Sequence, residues 1–366
     1  MRARGPHMRL VTLRIHGLRC LSKVELQLDP GINVFVGANG AGKTSVLEAA
    51  FLLSHVRSFR AGAKDALQQR GASELSIFAQ MQYASGQTSR LGLGRRAARW
   101  EAKADGVAVP LGQLVRACAV VCFDPGAHAL IAGGAEERRR YLDWGVFHVE
   151  HTFLTAWRRY QRALKQRNSL LRSGTSLDEA LFAPWEAELA QTAALIDQQR
   201  RNYLHRLTPQ LQASVAGLLP ELGKLELRYR RGWADEQSLR DLLRGQRPRD
   251  LARGHTTLGA HRADWSLAFE HAPLREHLSR GQEKLTALAC MLSQAQLYAA
   301  DCGEWPVVCL DDLASELDQT HQKAVVAQLS AAQAQVLLSG TELPSALTSV
   351  SPRVFHVEQG VLARLL

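Results

Sequence analysis

The chain has no apolar run long enough to cross a bilayer. The longest, residues 117–123, falls far short of the roughly 18–20 residues a spanning helix needs. Nor does it open like a leader peptide. Arg2, Arg4, Arg9, Arg14 and Arg19 precede no apolar core, and residues 1–7 read as a short extension before a strand beginning at Met8. Cysteine is scarce, six in 366 residues, with no CxxC pair. Cys118 and Cys122 stand four apart, a helical spacing for two metal ligands, but no His or second Cys pair completes a site. Buried thiols in a reducing, cytoplasmic chain are the expectation. Aromatics are only 6%, too few for stacking on unpaired bases to dominate any nucleic-acid contact. There is no internal repeat and no low-complexity tract. With 46% hydrophobic and 22% charged residues, composition excludes a disordered tail, a collagen and a small disulfide scaffold. The length allows two to three domains at roughly 150 residues each.

Acidic residues are also short: 35 against 45 Lys and Arg, a net charge of +10. The excess is uneven. Residues 136–173 hold nine basic side chains against four acidic, and residues 225–254 hold eight arginines against five acids. A polyanionic partner becomes more plausible, with backbone phosphates rather than bases as the contact.

Val11, Leu13 and Ile15 alternate with polar residues, as do Val24, Leu26 and Leu28, so two neighbouring strands are expected. Residues 32–36 read as a buried strand, followed by glycines and then a helical pattern at Val46, Leu47, Ala50 and Leu53. Helical spacing covers residues 136–172 and 185–206, separated at 181–184. Strand-like segments return at 267–269, 307–310 and 336–338. The domain expectation is therefore an α/β part at 8–115, a helical domain at 116–253 and a second α/β part at 254–366.

Between the strand and the helix stands Gly37-Ala38-Asn39-Gly40-Ala41-Gly42-Lys43-Thr44, with Ser45 following, which fits GxxxxGK[ST] at every fixed position. Such glycines let backbone N–H groups wrap a β-phosphate at a helix N-terminus, while Lys43 reaches the β- and γ-phosphates and Thr44 ligates Mg²⁺. The other reading is a glycine-rich turn that matches by chance. Val307-Val308-Cys309-Leu310 then delivers Asp311 and Asp312 at a strand end, one to hold Mg²⁺ through water, the other to orient or deprotonate the attacking water. Ser315-Glu316-Leu317-Asp318 follows and by itself reads as a helix cap. Leu278-Ser279-Arg280-Gly281-Gln282 lies before a helix expected at 283–298; alone it is a serine N-cap. In order, these four elements resemble an ATP-binding cassette.

From Met8 onward the chain closely resembles the RecF family of bacterial recombination mediators, relatives of the SMC heads. The resemblance rests on residues 37–60, including Leu47-Glu48-Ala49-Ala50 and Arg57-Ser58-Phe59-Arg60. It rests also on Arg138-Arg139-Arg140-Tyr141-Leu142-Asp143, on Gly259 with His261-Arg262 and Asp264, on the signature and carboxylate segments, and on Val354-Phe355-His356-Val357-Glu358-Gln359-Gly360. It implies a P-loop ATP-binding-cassette head of α/β class, made from both chain ends, with an inserted α-helical arm. It further implies ATP and Mg²⁺ sandwiched in a homodimer, Ser279, Gly281 and Gln282 of one subunit meeting the γ-phosphate held by Lys43 of the other. The expected partners are DNA near single-strand gaps and RecR, RecO and RecA, in recombinational repair, replication restart and SOS induction. No membrane is implied.

The departures matter. Asp312 stands where transporter-type cassettes carry Glu, and an acid one methylene shorter implies slow turnover. No switch histidine follows residues 336–338; Ser339-Gly340-Thr341 stands there, with Thr341 the candidate γ-phosphate sensor. Pro125-Gly126-Ala127-His128 lacks the acids usual after the proline, which weakens any metal role for that loop, and Ala260 replaces a usual proline. Arg57, Arg60, Arg138, Arg139 and Arg140 are the candidate DNA contacts, the last three reading equally well as an intrahelical network with Glu136, Glu137 and Asp143. Two alternatives stand beside this reading. A transporter nucleotide-binding subunit fits poorly with the basic charge, and an SMC-type architectural head would need a long coiled coil that Pro184, Pro209 and Pro220 oppose.

Overall fold

The computed structural model describes residues 8–60, 67–96, 99–173, 178–348 and 350–365. The alternating start forms β1 (Arg9–Leu18) and β2 (Leu21–Gln27), antiparallel neighbours with Leu13 and Ile15 buried and Arg14 and His16 exposed. β3 (Ile32–Val36) is buried along four of its five residues, and α1 (Lys43–His55) follows the glycine loop. β4 (Leu75–Gln82), β5 (Thr88–Arg96), β6 (Arg99–Ala104) and β7 (Val107–Val109) extend the first pair into an antiparallel sheet ordered β2-β1-β4-β5-β6-β7. Next come α2 (Leu111–Ala117) and β8 (Val120–Phe123). Then follow α3 (Ala129–Ala132), α4 (Ala135–Val149), α5 (Phe153–Arg172), α6 (Glu179–Leu218), β9 (Leu225–Arg230), α7 (Leu239–Gly245), α8 (Arg247–Arg253) and β10 (Asp264–Phe269). The last stretch holds α9 (Arg280–Cys302), β11 (Val307–Leu310), α10 (Leu313–Glu316), α11 (Gln319–Ala331), β12 (Val336–Gly340), β13 (Arg353–Glu358) and β14 (Val361–Arg364).

The second sheet runs β14-β13-β3-β12-β11-β8, parallel throughout except for the β13–β14 pair. β3 lies between β12 and β13, so neither end of the chain makes this sheet alone. β3, β8, β11 and β12 are short, largely buried apolar runs, as expected where both faces are covered, whereas β13 alternates and β14 is largely exposed. One compact unit accordingly contains the residues up to His128 and those from Arg280 onward; Ala129–Ser279 form the other. These limits differ from the expected 116 and 253. β8 pairs in register with β11, Cys122 opposite Cys309, which keeps residues 116–128 in the first unit. β9 pairs with β10, Leu225 opposite Phe269, which holds the segment after residue 253 in the second. Cys118 closes α2 while Cys122 is on a strand, so the two thiols do not share a helix; burial pushes Cys118 up to about 12. Among the described residues no helix is long and apolar enough to cross a membrane.

In the second unit α5 packs along α6, whose 40 residues span about 60 Å. The expected break at 181–184 is absent: α6 passes through Pro184 and Pro209. Pro184 is its sixth residue and forfeits only a bond in the first turns, and the seam behind compensates. Phe182, Leu189, Ile196 and Tyr203 recur every seven residues, and so do Glu186, Ala193, Arg200 and Leu207; all are buried. The charged members are paired. Buried Arg167 donates to Glu186 at 3.1 Å, Asp250 at 2.7 Å and Thr256 Oγ1 at 2.8 Å, while Arg247 grips Glu186 through Nε at 2.9 Å and Nη2 at 2.5 Å. Removing one member of such a network costs about 3–5 kcal/mol, because the other charge stays buried and unpaired.

Candidate nucleotide site

Parallel strands bring their C-terminal ends to one edge of a sheet, where α/β folds place their ligands. Here β3 ends at the glycine loop, β8 before Asp124, β11 before Asp311-Asp312 and β12 with Ser339-Gly340. Gly37 has φ +155°, and a Cβ there would lie 2.2 Å from the Val357 carbonyl oxygen. Gly42 has φ +117°, with a would-be Cβ 3.0 Å from Cys20 Sγ. Ala41 N donates to Ala38 O at 3.2 Å and Ser45 N to Gly42 O at 3.0 Å, closing the loop around Asn39 and Gly40. No side chain caps α1, so the N–H groups ahead of Ser45, those of Lys43 and Thr44, meet no capping side chain at the loop.

Lys43 Nζ donates to Gly37 O at 2.8 Å and Ala38 O at 2.9 Å. Burial lowers its pKa; Asp312 and Asp311 oppose that shift. Thr44 Oγ1 donates to Asp311 Oδ1 at 2.9 Å, and Ser339 Oγ donates to the same oxygen at 2.5 Å. Ser339 Oγ in turn accepts from Asp312 N at 3.1 Å. Burial raises the pKa of Asp311, against the lowering effect of Ser339, Thr44 and the Arg60 guanidinium. Arg60 lies within electrostatic reach of that carboxylate. Its neighbour Ser58 donates to Glu48, the buried acid of α1 that also receives Arg19 at 2.9 and 3.0 Å. Arg57 is half-buried.

Two residues escaped the sequence reading. Ser339, not the exposed Thr341, meets the carboxylates, because β12 lies beside β11 with Leu338 opposite Leu310, which sets the next residue, Ser339, beside Asp311. Asp124 precedes the proline of the loop whose later residues, Gly126-Ala127-His128, carry no acid. Burial, Asp311 and Glu316 push it up to about 6, although Gly126 N donates to it at 2.7 Å. The signal for both was the strand-end position, which becomes visible only once strand order is known.

Ser279, just before α9, and Gly281 are exposed, and Gln282 is half-buried. In the neighbouring SELD segment, Lys284 binds Glu316 at 2.5 Å, and Asp318 caps α11 by accepting from Thr320 N and His321 N at 2.9 and 3.0 Å. The turn after β13 explains the VEQG block: Gly360, φ +81°, donates its N–H to Ala41 O at 2.8 Å. The arginine triplet finds its partners within the second unit. Arg138 is bidentate to Asp264 at 2.7 and 3.0 Å, and Arg139 donates to Ala263 O at 2.8 Å. Arg140 pairs with Glu136 and Glu137. These pairings agree with the structural reading of the triplet, Arg138 and Arg140 having acidic partners and Arg139 a backbone carbonyl. Asp143 binds Arg200 at 2.8 and 2.9 Å, and His261 Nδ1 accepts from Tyr160 OH at 2.6 Å, so the RRxxLD and HRxD blocks hold this unit together.

The RecF/RecN/SMC N terminal domain family matches residues 9–361. The DNA replication and repair protein RecF of Xanthomonas euvesicatoria pv. vesicatoria (strain 85-10) is 47% identical, covering 98% of this chain and 99% of that one. The protein of the same name from Stenotrophomonas maltophilia (strain R551-3) is 47% identical, covering 96% and 98%. A solved structure described as the recombination mediator protein RecF-ATP in the RecFOR pathway superposes with a TM-score of 0.90 at 25% identity, covering 100% of both chains. An Smc head domain derived from Pyrococcus furiosus shares the fold alone, with a TM-score of 0.56 at 14% identity and coverage of 98% and 96%. A family match over nearly the whole length, with relatives sharing almost half of its residues, makes this chain a member of the RecF family.

Proposed function

We propose that this chain is an ATP-gated DNA-binding homodimer that acts as a recombination mediator in the cytoplasm, with slow ATP hydrolysis as its timer. One observation carries the reading: Thr44 and Asp311, 267 positions apart, meet at 2.9 Å beside the glycine loop. The loop N–H groups from Ala38 to Thr44 and the Lys43 ammonium bind the β- and γ-phosphates. Thr44 Oγ1 and the Asp311 carboxylate are hard oxygen donors, and they fit Mg²⁺, which takes one or two carboxylates and completes its shell with phosphate oxygens. Among the described residues no cluster of three His, Cys, Asp or Glu forms a protein-only metal cage, in keeping with that mode. When bound, Mg²⁺ offsets the negative charge on the β- and γ-phosphates. Ser339 fixes the orientation of Asp311, and Asp312 orients the attacking water and accepts its proton. Its short side chain supports a weak ATPase. Exposed Ser279 and Gly281 at the start of α9 bind the γ-phosphate held by a second copy.

The RecFOR pathway named for the solved relative supports RecR and RecO as partners; RecA loading at gapped DNA is the outcome this proposal assigns to them. Molar mass by light scattering, with and without ATP and a gapped duplex, tests the reading. The wild type shifts to a DNA-retaining dimer with ATP, and Lys43→Ala stays monomeric. A wild-type monomer indifferent to ATP overturns it.

A further inference from the structure

We infer that the outward face of the antiparallel sheet is a docking surface for the phosphate backbone of duplex DNA, an inference that rests on the DNA-binding reading above. The register fixes which side chains share this face. Arg14 lies opposite Phe78, Phe78 opposite Gly92, and Gly92 opposite Lys103; one row up, His16 lies opposite Lys23 and Ser76. Leu13, Ile15, Ile77, Leu91 and Leu93 point the other way and are buried. The outward set therefore carries Arg14, Lys23, Arg90, Arg96, Arg99 and Lys103, all exposed, against two acids, Glu25 and Glu101. Arg14 neutralises Glu25 at 2.9 Å. The remaining five cations make no ion pair among the described residues. Asp105, at the rim, accepts from Arg90 N at 2.7 Å and Ser89 Oγ at 3.0 Å.

A merely solvated sheet face mixes both signs; here five cations without an ion pair among the described residues stand against one unneutralised acid, Glu101. Charge complementarity thus selects a polyanion. Bare Gly92 and Gly94 sit mid-face, leaving a low strip between cationic margins. From Lys23 on β2 to Lys103 on β6 is four strand spacings, about 19 Å, and hence about five or six base pairs of axial rise. Phe78 is the sole aromatic on the face among the described residues, and Arg14 already covers its ring at 5.3 Å, so no stacking platform for unpaired bases is built. Duplex phosphates fit; splayed single strands do not.

Fluorescence anisotropy of a labelled, gapped duplex with ATP, titrated over salt, tests the assignment. Lys103→Glu and Lys323→Glu change net charge equally, and exposed Lys323 lies on α11, outside the sheet. Lys103→Glu weakens binding roughly 5–20-fold while Lys323→Glu has little effect, and Arg90→Ala with Lys103→Ala lowers the salt slope by about two. ATP affinity of these variants stays at the wild-type level and reports an intact fold. Equal binding by Lys103→Glu and Lys323→Glu overturns the inference and leaves this face to a protein partner. A wild type that binds no DNA with ATP instead overturns the parent reading.

Discussion

Asp311 and Asp312 are chemically identical neighbours, and their surroundings divide the work. Asp311 is buried and holds two hydroxyls on one oxygen, so its side chain has a fixed direction. Asp312 has φ +54° and ψ +42°, a left-handed conformation that Asp and Asn tolerate better than other non-glycine residues. Asp312→Asn therefore keeps the backbone while losing the carboxylate that the proposed function makes the proton acceptor. It should bind ATP, remain dimeric and release phosphate about 100-fold more slowly or less, measured by phosphate release and light scattering. Asp124 yields a pH prediction. Its folded pKa of about 6 exceeds the ordinary 3.8, so between those values the native state holds more protons than the unfolded one. Its contribution is then most favourable below pH 4 and declines as pH rises to about 6. Asp124→Asn should raise unfolding free energy at pH 7.5 by about 1–3 kcal/mol and change it little at pH 4, read from urea titrations.

At the scale of elements, the β13–β14 turn acts as a buttress. A Cβ on Gly360 would sit 2.3 Å from the Cys20 carbonyl oxygen, at a φ that L-residues avoid. Gly360→Ala should cost about 1–3 kcal/mol in stability and weaken ATP binding, since the turn's N–H holds Ala41. Urea unfolding and nucleotide titration check both. The long α6 teaches a second lesson. Its seven-residue seam was hard to see because Glu186 and Arg200 occupy buried positions where periodicity looks for apolar residues, and because prolines mark helix ends in most contexts. Partners from distant segments, Arg167, Arg247 and Asp143, make those positions tolerable.

For the whole molecule, one chain carries one glycine loop and one Leu278–Gln282 signature, so the proposed symmetric pair would supply two complete sites. Ser279→Arg should bind ATP as a monomer with near wild-type affinity yet fail to pair. Ultracentrifugation with ATP checks this, and a Ser279→Arg dimer sinks the shared-site arrangement. The sheet-face cations matter at the same scale, because DNA held through phosphates loses affinity steeply as salt rises.

The glycine loop, the carboxylate strand and the signature were legible in the sequence because each is local. A P-loop needs glycines, Lys and Thr within eight residues, and an apolar run ending in two acids is itself a strand end. Alternation placed β1 and β2, and the return of strands after a long helical stretch placed an α/β part at the C-terminal end; that both ends build one head came from the family resemblance. What only the tertiary structure decided is lateral. Strand order brought Ser339 and Asp124 beside Asp311, the β8–β11 and β9–β10 pairings moved the unit boundaries, and the register of the antiparallel sheet put its cations on one face. Arg138 and Arg140 stand two apart in the sequence. One is bound to Asp264 and the other paired on the helix surface, because burial and partner depend on elements that fold back from more than a hundred residues away.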